Sequence, residues 1–271
     1  MMMKPHEIRD SEKILAYLSL FTDFDTKKGK LVDWILDQIP DDPDIGFAGC
    51  SHKDGLRAHL KWAIGEINDI GPISEDKTKI AIEETVKKCF SAVSAPKPLH
   101  IFVFPTFDTF VKERMNGVAG YSFWRNTILV YINPVDGWDT ALRSTICHEF
   151  AHAVAQNYNK METILDQLIF DGVAEHFRES VVGGDKAPRV KALTEEEAKG
   201  IFSEIKDKLD SVDENVRREI FYGAGKYPLW TGYAIGYFIV GNFLKKLNKI
   251  DWNEILKISP RKIFEESEML L

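Results

Sequence analysis

The sequence predicts an α+β fold, mostly helical with one small mixed β-sheet. Three observations carry this. Apolar residues recur at helical spacing through most of the chain. Strand-like apolar runs bunch between residues 99 and 133. With 271 residues, 44% hydrophobic and 28% charged, the chain has enough apolar material for a sizeable core. Pro96 and Pro98 mark a boundary between a helical N-terminal subdomain, 1–95, and a second domain, 96–271. The second domain is expected to hold the sheet (99–133), a helix pair (138–180) and C-terminal helices (193–266).

In order, residues 6–20 read as a short helix. Residues 27–39 place Leu31, Trp34, Ile35 and Ile39 on one helical side. Asp, Pro and Gly make 40–51 a turn-rich linker. The stretch 54–67 is amphipathic, and His59 beside Leu60 and Trp62 reads as a structural histidine. Helix 73–94 has Ser74 as N-cap with acids in its first turn. LHIFVF, 99–104, is apolar almost throughout and reads as a strand buried on both faces. A short helix, 107–115, leads to strands GVAGYSF, 117–123, and NTILVYIN, 126–133. Thr194 and Glu197 form a capping box for helix 193–210. GAGK in 223–230 is no phosphate-binding loop, because Ile220 and Tyr227 break that pattern. Helix 231–244 carries Gly232 and Gly236 four apart, small enough for close helix packing.

The chemistry centres on HEFAH, 148–152, inside the apolar helical run TALRSTICHEFAHAVAQNY. His148 and His152 project from one helix face, one turn apart, so both imidazoles reach one metal ion. Glu149 follows the first ligand, where a carboxylate can act on a water at the metal. This is the HE-x-x-H pattern of zinc hydrolases, so Zn²⁺ is the expected cofactor and Glu149 the general base. Catalytic zinc takes three protein ligands and leaves one position open. Asp171 follows His152 with 18 residues between, which suits a helix, a turn and a second helix antiparallel to the first. It is expected to close the ligand set. Glu175, one turn on, is the alternative ligand, or else an acceptor for the free ring nitrogen of a liganding histidine. The flanking Leu165, Leu168, Ile169, Val173 and Phe177 are apolar, so carboxylates there need partners.

HEFAH followed by FDGVAEHF resembles the gluzincin metallopeptidases, whose third ligand is a glutamate on a following helix. The aminopeptidase N group has the same 18-residue gap and an N-E-G-x-A motif. Together with LWTGYAIGYFIV, 229–240, the three motifs are similar to a family of predicted zinc-dependent proteases. That family reads E-G-L-A-E-H and W-T-G-Y-x-x-G-Y at these places. The resemblance covers roughly residues 95–245 and implies a zincin-like catalytic domain hydrolysing peptide bonds. It also implies that GVAGYSF is an edge strand, where an extended peptide substrate can pair. Asp171 stands where the family has Glu, so either its helix comes closer or Glu175 takes the ligand role. A tyrosine from 227–237 is expected to steady the oxyanion: Tyr233 first, Tyr237 less so. His176, next to Glu175, is expected to point off the site.

Composition limits the partners. A net charge of −7 argues against nucleic acid. No apolar run has transmembrane length, so no membrane partner is expected. The polar opening residues form no signal peptide, and Cys50, Cys89 and Cys147 form no C-x-x-C pair. Cys147 reads as a buried thiol. A reducing cytoplasm is the expected setting. Two rival readings remain: a metal-stabilised binding or chaperone-like module without turnover, and a zinc hydrolase acting on non-peptide amides.

Overall fold

The computed structural model describes residues 4–22, 30–39, 45 and 52–268. The expected linker 40–51 lies outside these, apart from Ile45. The described chain is mostly helical with a five-stranded mixed sheet, in the α+β class. It divides into two compact units, residues 1–153 and 154–271.

The first unit is built on the sheet, ordered β1-β2-β3-β5-β4. Here the expected helix over 6–20 gives way to a hairpin. Strand β1 (His6–Asp10) turns through Ser11, at φ +53°, into β2 (Lys13–Leu20). Ala16, Leu18 and Leu20 are buried and alternate, which is strand spacing. Ile8, Leu15 and Leu18 fit helical spacing equally well, so the short stretch is ambiguous by itself. Pairing decides it: β2 runs parallel to β3 (Leu99–Pro105), with Leu18 level with Ile101. The first 95 residues are therefore not a helical subdomain, since they supply two strands to a sheet completed beyond residue 99.

Strand β3 pairs parallel with β5 (Thr127–Ile132), and β4 (Val118–Trp124) pairs antiparallel with β5. As expected, β3 is almost wholly buried, and β5 is buried at all positions. GVAGYSF is at the sheet's edge, as the resemblance implied. Asn126, at φ +60°, turns β4 into β5.

Helices cover both sheet faces. On one side Phe21 stacks on Phe104 at 5.1 Å and meets Trp34 of α1 (Leu31–Gln38) at 5.6 Å. Tyr131 of β5 meets His59 of α2 (His52–Ile64) on that same side. On the other side lie α3 (Glu75–Ala92) and α5 (Trp138–Ala155), joined by Phe90 against Phe150 and by Arg143 on Glu84 at 2.6 Å. Ser74 caps α3 by accepting from the Lys77 amide. The short α4 (Thr109–Arg114) links β3 to β4.

The second unit is helical. It contains α6 (Ile164–Val182), α7 (Glu195–Ile205), α8 (Glu214–Tyr222), α9 (Thr231–Lys245), α10 (Trp252–Ile255) and α11 (Pro260–Ser267). The Thr194–Glu197 capping box forms, and Thr163 with Asp166 makes another at the start of α6. Helices α6 and α9 cross with almost no side chain between them. A Cβ on Gly236 would fall 2.0 Å from the Leu168 carbonyl oxygen, and one on Gly172 would fall 2.3 Å from that of Gly236. Only glycine permits this approach. Among the described residues, no helix is long and apolar enough to cross a membrane.

Candidate metal centre

Helix α5 is buried nearly all round. Ile146, Phe150, Ala151 and Ala153 are within 1% of full burial, and His148, Glu149 and His152 are only 2%, 6% and 8% exposed. Buried polar groups need partners. The i, i+4 spacing delivers one: the Nε2 atoms of His148 and His152 converge to 3.0 Å. Two neutral imidazoles meeting through acceptor nitrogens repel, so a proton or a cation belongs between them. Zinc holds nitrogen ligands at about 2.0–2.1 Å, which puts tetrahedral ligands roughly 3.3 Å apart. The observed separation is near that value.

Glu149 is placed by a residue that the motif reading missed. A Cβ on Gly120 of β4 would lie 2.6 Å from Glu149 Cγ, 3.0 Å from its Oε1 and 2.5 Å from Thr145 Cγ2. The bare glycine lets the carboxylate lie against the edge strand. A glycine inside a strand is a recognised sign of such close approach.

Asp171 sits on α6, 8% exposed, beside the Gly172 crossing with α9. Tyr233, on α9, is in its neighbourhood: burial first, then the charge of Asp171, push the phenol's pKa well up. The ring also packs edge-on against Phe221 at 5.4 Å, and the Arg189 guanidinium lies 5.7 Å from its centre. Sequence reasoning did not single out Tyr222, the last residue of α8. The residue is 51% exposed, yet burial of its hydroxyl and then the charge of Asp171 raise its pKa. Nothing in the local sequence marks it, because α8 and α9 are joined by a loop whose course sets the contact.

Two other candidates have polar partners of their own. Tyr237 donates its hydroxyl to Glu179, 3.1 Å from Oε2, and stacks on His176 at 4.2 Å. The His176 ring donates from Nε2 to the Tyr237 carbonyl at 2.9 Å, and burial lowers its pKa. Glu175 is 1% exposed and accepts from Arg178 at 2.6 Å; Arg178 is itself 2% exposed. Arg189 approaches the same carboxylate at 3.5 Å. Cys147 is fully buried, as is Cys89, whose thiol pKa is pushed up by burial first and then by the neighbouring Cys147. Both are free cysteines.

Among the described residues, one group of three metal-ligand side chains stands together. His148, His152 and Asp171 each offer one ligand atom, and these lie within 4.8 Å of one another. Two imidazole nitrogens and one carboxylate oxygen are a donor set that zinc accepts. Glu175 is not in the group.

A family model described as "Predicted Zn-dependent protease (DUF2268)" matches residues 79–265. No curated protein matches the sequence.

Proposed function

The chain belongs to this family of predicted Zn-dependent proteases, and from that premise we propose that it is a gluzincin-like metallopeptidase cleaving peptide bonds in peptide or protein substrates. The carrying observation is the His148, His152 and Asp171 group, with Glu149 beside the first ligand in a buried helix. In this reading those three residues hold zinc. Bound there, zinc supplies an acidified water, pKa near ~7, and polarises the scissile carbonyl. Glu149 accepts the proton of the attacking water and passes it to the leaving amine. Tyr233 donates to the oxygen of the tetrahedral intermediate. The outer edge of β4, last strand of the described sheet and close to Glu149 at Gly120, is a surface on which an extended peptide can pair. We place the activity in a reducing cytoplasm, where Cys89 and Cys147 stay thiols.

The test has two arms. Metal analysis of protein purified without added metal should find one zinc per chain, lost in His148→Ala. Glu149→Gln should keep the zinc and lose at least ~10²–10⁴-fold in turnover of a peptide library. Zinc near zero in the parent protein would sink the metal centre. Zinc retained without any cleavage by the parent would favour the binding-module reading.

A further inference from the structure

Strand β4 shows two different faces to any chain paired with its edge. Gly120 faces Thr145 and Glu149. Side chains alternate along a strand, so Tyr121 faces the opposite side of the sheet. There its ring meets His59 edge-on at 5.0 Å and Trp62 at 5.6 Å, with Tyr131 at 5.7 Å. Trp62 is 61% exposed, more than Phe110 at 40%. Burial holds the His59 pKa at about 4, so the ring cluster is uncharged at neutral pH.

We propose that Trp62 and Tyr121 form a specificity subsite for an aromatic or large aliphatic side chain of the substrate. The proposal rests on the peptidase reading and names the side chain which that site selects. A peptide paired on the β4 edge turns the residue level with Gly120 toward Glu149. Its immediate neighbour, level with Tyr121, then projects to the Trp62 side. The exposed indole offers that neighbour an apolar surface and an edge-to-face aromatic partner. The four rings carry no anion, so a lysine or arginine there would gain only the weak attraction of an exposed ring.

Matched peptides differing only in Phe, Leu, Ala or Lys at each position test this with zinc-loaded protein. At one position, Phe or Leu should exceed Ala by roughly tenfold or more in kcat/KM, the usual worth of a filled apolar subsite. Trp62→Ala should flatten that ratio, and Trp62→Phe should restore most of it. A ratio that Trp62→Ala leaves unmoved overturns the subsite, as does a preference for Lys at that position. Calorimetric binding of the same peptides to Glu149→Gln removes the dependence on turnover. Equal affinity for the Phe and Ala peptides overturns the proposal. Discrimination in binding without any cleavage by the parent protein would instead sink the peptidase reading and leave the subsite standing.

Discussion

Gly120→Ala is expected to uncouple the base from the metal. Contacting carbons settle at about 3.5–4.0 Å. The new methyl would meet Glu149 Cγ at 2.6 Å and Thr145 Cγ2 at 2.5 Å. Both side chains must therefore retreat by about 1 Å. Glu149 has more rotatable side-chain bonds than Thr145, so most of the shift falls on the carboxylate. Misplacement of a catalytic group by about 1 Å costs on the order of 100-fold in rate. Overpacking of this kind costs about 1–3 kcal/mol in stability. His148 and His152 are not among the atoms struck, so zinc should stay. Three measurements on one preparation check this: kcat on a cleavable peptide, zinc by mass spectrometry and the melting midpoint by calorimetry. Turnover within threefold of the parent would refute the argument. So would zinc loss in step with activity, which would mean that the site had collapsed rather than lost its base.

Asp171→Ala should empty the metal site, whereas Glu175→Ala should chiefly destabilise the fold. Removing one partner of the buried Glu175–Arg178 pair costs about 3–5 kcal/mol; zinc titration and urea unfolding of both variants separate the two effects. His59 is expected to shape acid stability. Its folded pKa of about 4 lies below the ordinary 6.5, so its contribution is complete above pH 6.5 and fades as the pH falls toward 4. His59→Phe should therefore flatten the stability curve between those values, measured by denaturant midpoints. Gly200 and Gly236 should respond in opposite directions to alanine. Gly200 has nothing within 4 Å of an added Cβ and sits within α7, so Ala there should add about 0.5–1 kcal/mol. At Gly236 the Leu168 carbonyl forbids it, and soluble folded protein should be lost; expression and thermal melts decide both.

The parts legible in the sequence are those whose signal is local. HEFAH announces its own geometry, because the two histidines and the helix that spaces them lie within five residues. LHIFVF reads as a buried strand because its neighbours on both sides are necessarily apolar. The Thr194–Glu197 box and the Ser74 cap are likewise complete within four residues. The N-terminal hairpin was not legible, because residues 13–20 become a strand by pairing with residues 99–105, and nothing nearby in the chain states that. Tyr222 escaped for the same reason. The Glu175–Arg178 pair was open to reading, as the two stand three apart on one helix. The carboxylate's apolar flanks drew attention to a metal role and away from the arginine.

Both edge strands of the sheet carry a register irregularity, that of β4 between Tyr121 and Trp124, but they differ in charge. At β1, His6, Glu7, Arg9 and Asp10 are exposed, and a bulge falls between Ile8 and Arg9. Charges and bulges are how a sheet end keeps foreign strands away. At β4 the run VAGYSFW has no charge, and its composition favours strands. That end carries a standing risk of self-association, greatest while the chain is still folding and in concentrated stocks. Solubility engineering would naturally begin there, with a lysine at the half-buried Tyr121. The same lysine would close the edge to peptides, so this protein's tendency to clump and its capacity to take in a substrate are expected to rise and fall together.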